Sequence, residues 1–471
     1  MRFTAPFAGI CTLALTLAAC REQPTVPPGE RPSEPAAPQA DGPAPASAQA
    51  RADFAKAAQA YVAARKDGAL SPAECEAVTG EFSRVYRSHG ASLAIAEFNA
   101  GVVWEECGQP ERAETIYSGL VAAVPAFDLP YNNLGVLLWK KGQEDRALEL
   151  FRQGVERGGL MVRAARNNVA GLLRDRYVER PDGGVFGEAE TATQTVLAVD
   201  TSNKAAYENL ARLYYDRGLR KDRSYLVLAN LVVSQGMRVL KDRGVESADL
   251  YNTQGLLLLE RNDQVSALRA FKEAARIEPS HVEASLNIGF ISIRFRDYAT
   301  AEAAFAAALR SPRQQRNIEV WLALGVAQRG LKKYKECEAS YQQAIKLDAA
   351  DPRAYFNLGV LYQDHIAVQS DVSLERSVEL GEVARKHYRK FAEVAGKNRA
   401  YAERLLVSQD RIAILDENRD IARTTAELEE QVRKLAVEAE AADRAERERL
   451  IKLEQQAMAA EQAGAAPAPT P

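Results

Sequence analysis

Residues 248–281 read ADLYNTQGLLLLERNDQVSALRAFKEAARIEPSH, and this stretch decides the fold. In its first half, residues at helical spacing share one face: Tyr251, Gly255 and Leu258. After a polar break, a second helical face carries Ala267, Phe271 and Ala274, and Pro279 ends the pattern. The pattern predicts a hairpin of two helices, because small residues let the helices approach closely while aromatic side chains fill the flanks.

The hairpin pattern recurs along the chain. Its mid-helix small residue reappears at steps of 34, 35, 41, 44, 34, 36 and 34 residues: Gly101, Gly135, Ala170, Ala211, Gly255, Gly289, Gly325 and Gly359. Asn stands two residues earlier in six of these eight copies. One hairpin buries too little apolar surface to offset the entropy lost on ordering its backbone, so the copies must stack on one another.

This register resembles the tetratricopeptide repeat, a 34-residue helical hairpin. Gln254 departs from the Leu that the family usually has at that place. The resemblance implies an all-α fold: a right-handed superhelical solenoid of eight hairpins over residues 91–396, capped by a degenerate helix pair over residues 51–90. The long steps indicate insertions at 179–184 and 220–225, which we expect in turns, and at 367–382, which we expect to extend a helix.

The N-terminus predicts export and lipidation. Residues 1–19 have the composition of a signal peptide, and they close on Leu17, Ala18, Ala19 and Cys20, which resembles the lipobox of bacterial lipoproteins. That resemblance implies lipidation of Cys20, and Arg21 in place of Asp favours the outer membrane. An ordinary secretory signal with an incidental cysteine is the alternative. Residues 20–50 are rich in proline and predict an extended linker, while residues 463–471 predict an unstructured tail.

The composition and motifs argue against enzymatic activity and against a nucleic-acid partner. A formal net charge of -3 gives no reason to expect a nucleic-acid partner. The sequence has no phosphate-binding loop or nucleophile motif, and its four histidines lack metal-ligand spacing. We therefore expect no enzymatic activity, no cofactor, no metal and no small-molecule substrate. Of the cysteines beyond Cys20, Cys337 is expected to be buried, and whether Cys75 and Cys107 pair stays open.

A candidate binding surface follows from the helical register. In this architecture, the residues three before, one after and four after each small residue line the concave groove. Most are apolar here: Phe98, Val102, Val136, Trp139, Leu256, Leu259, Leu286, Phe290, Ile293, Leu322, Val326, Phe356 and Val360. Part of this set must pack between hairpins, but its extent predicts that an amphipathic helix or extended peptide of another envelope protein fills the groove.

Residues 397–462 predict a long, charged helix. A stripe at alternating steps of four and three is apolar until Glu446 and Arg449: Leu428, Val432, Leu435, Ala439 and Ala442. Three roles stay open for this helix: a coiled coil with a partner, a solvated helix whose start at 401–415 caps the last hairpin, or a segment that occludes the groove.

The combination of lipobox, proline linker and repeats predicts a periplasm-facing outer-membrane scaffold in a multi-protein envelope complex. The layout resembles the tetratricopeptide-repeat lipoprotein of the myxobacterial adventurous gliding motility machinery. A pilotin-like role in assembling a type IV pilus secretin and the regulation of peptidoglycan enzymes are the alternatives. The fold serves scaffolds of many kinds, so the sequence alone does not identify the partners.

Overall fold

The structure, a computed structural model, describes residues 46–464. This part of the chain is all-α and is built of helical hairpins with a long C-terminal helix, which confirms the predicted fold class. The predicted signal peptide, the predicted lipobox with Cys20, most of the predicted linker and residues 465–471 lie outside the described residues. The first helix starts at Ala48, slightly before the predicted end of the linker.

The chain forms two compact units that divide after Glu278. The first unit contains α1 (Ala48–Ala64), α2 (Pro72–His89), α3 (Ala94–Glu106), α4 (Pro110–Ala123), α5 (Leu129–Lys140), α6 (Glu144–Arg157), α7 (Val162–Glu179), α8 (Gly183–Val199), α9 (Lys204–Arg220), α10 (Ser224–Lys241), α11 (Ala248–Glu260) and α12 (Gln264–Ile277). The second contains α13 (Val282–Arg294), α14 (Tyr298–Ala308), α15 (Ile318–Gly330), α16 (Tyr334–Leu347), α17 (Arg353–Leu361), α18 (Leu374–Ala395) and α19 (Ala402–Ala463). We number the hairpins 1 to 8, from α3–α4 to α17–α18.

A glycine facing an aromatic ring holds each regular hairpin together. A Cβ added at Gly255 would lie 2.5 Å from Cε1 of Phe271, so only glycine lets the ring lie against the first helix. Five other hairpins share this arrangement: Gly101 with Tyr117, Gly135 with Phe151, Gly289 with Phe305, Gly325 with Tyr341, and Gly359 with Tyr388. All six rings are fully buried.

Hairpins 3 and 4 fill the position of the glycine–ring contact with side chains of different size. Their reference residues are Ala170 and Ala211, and the buried residues of the second helices include Ala189 and Thr193 in α8, and Ala229 and Val233 in α10. By register, Thr193 and Val233 take the place of the aromatic ring. The added methyl on the first helix is thus matched by a smaller side chain on the second.

The insertions of hairpins 3 and 4 lengthen helices, which corrects the prediction that they lie in turns. Helices α7 to α10 have 17 or 18 residues. In the regular hairpin 5 the two helices have 13 and 14. The connections 180–182 and 221–223 remain short. The extra residues continue the helices because the added turns bury aromatic side chains such as Tyr177 and Phe186.

The third insertion divides between a loop and a helix. Helix α17 ends in a π-helical turn at Tyr362–Ile366, and a short segment follows before α18 begins at Leu374. Helix α18 has 22 residues, so part of the insertion extends this helix, as expected. Ser373 caps α18 by accepting a hydrogen bond from the Arg376 amide.

Helices α1 and α2 form the predicted N-terminal pair. Gly68 (φ 115°) lies at the break between them, and Ser71 and Glu74 form a capping box at the start of α2. Cys75 of α2 forms a disulfide with Cys107 at the end of α3, with the Cα atoms 6.4 Å apart. This bond answers the question that the sequence left open.

Helix α19 caps hairpin 8 with its first turns and then continues alone. Arg411 donates hydrogen bonds to Gln363 Oε1 at 2.8 Å and to Asp364 at 2.9 Å, and Arg385 of α18 pairs with Asp416. Every described side chain from Gln431 to Ala459 is exposed. The capping prediction for the start of this helix agrees with these contacts.

Candidate protein-binding surface

In the first unit, two residues of the predicted groove are core residues. Phe98 is buried against Tyr117 and Phe127, with ring centroids 5.4 and 6.1 Å apart. Trp139 is buried against Phe151 at 6.1 Å, and its ring lies close to Gly171 of the next hairpin. Neither side chain offers surface to a partner.

The remaining groove residues of the first unit are partly buried. Val102, Val136 and Leu256 pack against the main hydrophobic cluster, and Leu259 is also half-buried. Neighbouring hairpins therefore take up much of the apolar area that the sequence assigned to a guest. This portion of the predicted groove has little apolar surface left over for binding.

In hairpins 3 and 4, Arg174 and Arg212 hold groove positions by register, which the set of apolar residues does not include. Arg174 and Asp175 of α7 form an ion pair at 2.7 Å, and Arg212 and Asp216 of α9 one at 3.7 Å. All four side chains are largely buried. Buried charges are tolerated when each has a partner, so these pairs let the long hairpins bury charged side chains on this face.

Glu208 of α9 is the most perturbed acid of this polar region. It accepts a hydrogen bond from Ser247 Oγ at 2.6 Å, and Lys204 lies 3.2 Å away. Burial, and then the charge of Asp249, raise the pKa of Glu208 to about 7, against the opposing effect of Lys204. Because Ser247 caps α11, protonation of Glu208 acts at the junction between hairpins 4 and 5.

Asparagine side chains connect hairpins 1 to 3. Asn168 donates to Asn132 Oδ1 at 2.8 Å, Asn132 to Asn133 Oδ1 at 3.2 Å, and Asn133 to the Tyr117 hydroxyl at 3.3 Å. Tyr117 in turn donates to Glu105 at 2.8 Å. The recurring Asn two residues before the small residue was the sequence signal for this ladder, whose role is to join adjacent hairpins.

In the second unit, Phe290 of α13 is the exposed member of the predicted groove. Its side chain is 42% exposed, although one edge rests on Phe305 with centroids 5.1 Å apart. Leu286 and Ile293 lie on the same helix face and are partly buried against the adjoining cluster. An exposed aromatic ring with an apolar border has the properties of a binding hot spot.

The other groove residues of the second unit contribute less. Leu322 is buried, while Val326 and Val360 are half-buried. Phe356 packs against Tyr388 at 5.8 Å and Phe391 at 5.2 Å. The predicted face thus has its largest free aromatic surface at Phe290.

The histidines and Cys337 have structural positions. His281 is a buried N-cap in the connection before α13, and it accepts a hydrogen bond from the Ala284 amide. His89 lies 2.8 Å from Asp53, and His387 stacks on Tyr362 at 5.7 Å. Cys337 is buried as expected, and burial raises the pKa of its thiol to about 12.

The described residues lack two kinds of feature. Between residues 46 and 464, no group of His, Cys, Asp or Glu side chains is arranged to hold a metal ion. Within the same range, no helix combines the length and apolar character needed to cross a membrane.

Three segments match known repeat families. Residues 130–157 and 252–317 each match the tetratricopeptide repeat, and residues 329–365 match the TPR repeat. These segments cover helices α5–α6, α11–α14 and α16–α17. The chain therefore contains tetratricopeptide repeats.

Curated relatives and solved structures with similar hairpins are distant. The BBSome complex member BBS4 of Bos taurus is 25% identical over 239 residues, which are 50% of this chain and 41% of that protein. The BBS4 protein of Xenopus tropicalis is 29% identical over 124 residues, 26% of this chain and 24% of that protein. The chain spans less than half the length of these relatives.

The solved structures include MamA, residues 41 to the end, from Desulfovibrio magneticus RS-1, with 19% identity and a TM-score of 0.33 over 41% of this chain and 97% of that one. The C-terminal part of a TPR repeat-containing protein from Cytophaga hutchinsonii has 16% identity and a TM-score of 0.37 over 53% of this chain and 91% of that one.

Proposed function

We propose that this array of tetratricopeptide repeats is a non-catalytic scaffold that holds other polypeptides together through the first helices of its hairpins. The observation that carries the proposal is Phe290, an exposed aromatic ring on a helix face that is otherwise packed. Burying such a ring against a partner removes apolar surface from water without disturbing the hairpin.

The surface around Phe290 is apolar along the helix. Leu286 and Ile293 border the ring along the same face of α13, and both retain some exposure. This spacing suits an amphipathic helix or an extended peptide that places one large apolar residue against the ring. Such a partner needs no charge at the contact itself.

Photo-crosslinking tests this surface. A photoreactive phenylalanine analogue at Phe290 is expected to capture a specific polypeptide, and Leu286→Ala in the same chain is expected to weaken that capture. The matched control is the analogue at Phe295, which is 47% exposed but lies in the turn after α13. Equal capture at both positions, or none at Phe290 in a folded chain, would contradict the proposal.

We further propose that the scaffold is an outer-membrane lipoprotein that works in an envelope complex such as gliding-motility machinery. The support for this setting is the lipobox sequence that ends at Cys20 and the proline-rich linker after it. Two or more acyl chains on the cysteine give stable anchoring. Labelled palmitate should enter the wild-type chain but not Cys20→Ser, and the variant should leave the membrane fraction; labelling of both would refute the lipidation of Cys20.

A further inference from the structure

Helix α10 of hairpin 4 exposes large apolar side chains to solvent. Val227 is 69% exposed, Leu231 64% and Leu228 39%. Val227 and Leu231 lie on the face of α10 opposite the buried seam that contains Ala229 and Val233, and Leu228 borders that face. Packing within the array therefore does not account for these three side chains.

The register shows that the fold does not require an apolar residue at the position of Leu231. In hairpins 2, 3 and 5 the residues at this position are Glu149, Thr191 and Arg269, and all three are exposed. Of these four hairpins, only hairpin 4 has a large apolar side chain there. The apolar residue thus has a cause outside the hairpin itself.

The middle of α10 also lacks charge. Residues 224–237 contain no Asp, Glu, Lys or Arg. By comparison, α6, the second helix of hairpin 2, has seven charged residues among its 14. The exposed side of a second helix is normally charged or polar, because it meets water. In α10 this side is apolar at Val227 and Leu231, and it continues with Ser234 at helical spacing.

Basic side chains flank the uncharged run at both ends. Residues 220–243 contain six basic and two acidic residues. The basic residues are all exposed: Arg220, Lys221, Arg223, Arg238, Lys241 and Arg243. The acid Asp222 accepts a hydrogen bond from the Ser224 amide at 2.9 Å, and Glu260 of α11 pairs with Arg223 at 3.0 Å. The surface keeps a net positive charge after these contacts are counted.

We propose that the exposed side of α10 lies against the surface of a bilayer that contains anionic phospholipids. A helix at such a surface buries apolar side chains at the boundary between headgroups and acyl chains, and it holds Lys and Arg near the phosphates. Val227, Leu231, Arg238 and Lys241 share one face of α10, over about 21 Å of helix. One flat surface can therefore meet the apolar patch and the basic end together.

The chemistry of this face favours lipid over a polypeptide. The centres of protein interfaces are rich in aromatic residues. The centre of this face has aliphatic side chains only, and its charges lie at the two ends. Phe290, the proposed contact for a polypeptide, belongs to the other unit. The bilayer contact goes beyond the scaffold function, and it does not depend on an acyl chain at Cys20.

Local fluorescence in the full chain tests the contact. A fluorescent amino acid replaces Leu231, and the chain is mixed with vesicles of equal parts phosphatidylglycerol and phosphatidylcholine whose acyl chains carry bromine as a quencher. Quenching is expected at Leu231 but not at Thr191, the equivalent exposed position of α8. This difference is expected even where a lipid on Cys20 holds the chain on the vesicle. Equal quenching at both positions, or none at Leu231, would overturn the proposal.

A double substitution tests the apolar contribution. With the fluorophore at Ser234, Val227→Asp together with Leu231→Glu introduces the acids that hairpin 2 carries at these positions. The ratio of quenched to unquenched fluorophore should fall roughly tenfold or more. Thr191→Glu is the control and should leave the ratio unchanged. Circular dichroism checks the fold, and Leu231→Thr serves if the double variant unfolds. An unchanged ratio in a folded variant would refute the contact.

Charge substitutions test the preference for anionic lipid. Arg238→Gln together with Lys241→Gln should lower the quenched ratio at low salt and reduce its dependence on salt, because the attraction to phosphate is screened by ions. Vesicles of phosphatidylcholine alone should quench less than the mixed vesicles. Equal quenching by both kinds of vesicle would show that the basic ends take no part, and would overturn the proposal.

Discussion

Hairpins 3 and 4 differ from the regular hairpins in both size and chemistry, although all share one register. The regular hairpins place an aromatic ring over a glycine, and their first helices present apolar residues such as Leu256 and Phe290. In the long hairpins the register sets Thr193 or Val233 opposite an alanine, and the first helices carry buried ion pairs instead. One backbone arrangement thus accommodates two solutions to the same packing problem, provided that the volumes on the two helices are matched.

The largest loss of stability should come from removing a buried aromatic ring of a regular hairpin. Phe271→Ala should lower the free energy of unfolding by about 4 kcal/mol, because it leaves a cavity over Gly255. Val233→Ala, at the equivalent place in hairpin 4, should cost about half as much because less volume is lost. Denaturant unfolding with native-state hydrogen exchange of each hairpin measures both, and equal losses would contradict the comparison.

The second-largest effect is a pH-dependent gain in the free energy of unfolding when Glu208 is replaced. Because the folded pKa of Glu208 is about 7 and its ordinary value is 4.5, its contribution to stability is present below pH 4.5 and is lost as pH rises through 7. Glu208→Gln should therefore raise the free energy of unfolding at pH 8 by about 3 kcal/mol relative to wild type.

At pH 4 the same variant should differ little from wild type, because Glu208 is then protonated in both the folded and unfolded chains. Thermal unfolding at the two pH values makes the measurement. Asp145→Asn is the control, since its carboxylate is almost fully exposed. An identical shift at both pH values would show that the charge of Glu208 is not the cause.

A double substitution in the regular hairpin 5 introduces the alanine and valine that hairpin 4 has at the corresponding positions. Gly255→Ala should destabilise hairpin 5 by about 2 kcal/mol, since the new Cβ meets the Phe271 ring. Adding Phe271→Val should make the double variant more stable than the sum of the two single changes. A double-mutant cycle on unfolding free energies measures the coupling, and strict additivity would refute volume matching.

The smallest change in unfolding free energy should come from the reverse substitution, alanine to glycine, in hairpin 4. Ala211→Gly should cost about 1 kcal/mol, because it lowers helix propensity and removes one buried methyl without relieving any clash. The same measurements apply. A gain in stability would show that Val233 is held too tightly against Ala211 and would weaken the comparison.

Which residues of the predicted groove are exposed to a binding partner was only partly predictable from the sequence. Register places Phe98, Trp139 and Phe290 on the same predicted face of their helices, but the first two are buried and the third is exposed. The difference depends on neighbouring elements: Phe127 covers Phe98, and Gly171 of the next hairpin lets Trp139 lie close. A periodic pattern reports which way a side chain points, and carries no information on what lies opposite.

The sequence by itself determined that the chain is a series of helical hairpins, where each begins, and that a long charged helix follows. These features depend on helical periodicity, caps and small residues, which act within one hairpin. The tertiary structure alone decided that Cys75 meets Cys107, that the insertions of hairpins 3 and 4 lengthen helices, and which groove residues are free. Each of these depends on contacts between residues far apart in the chain, where burial and close approach are settled by the packing of whole helices.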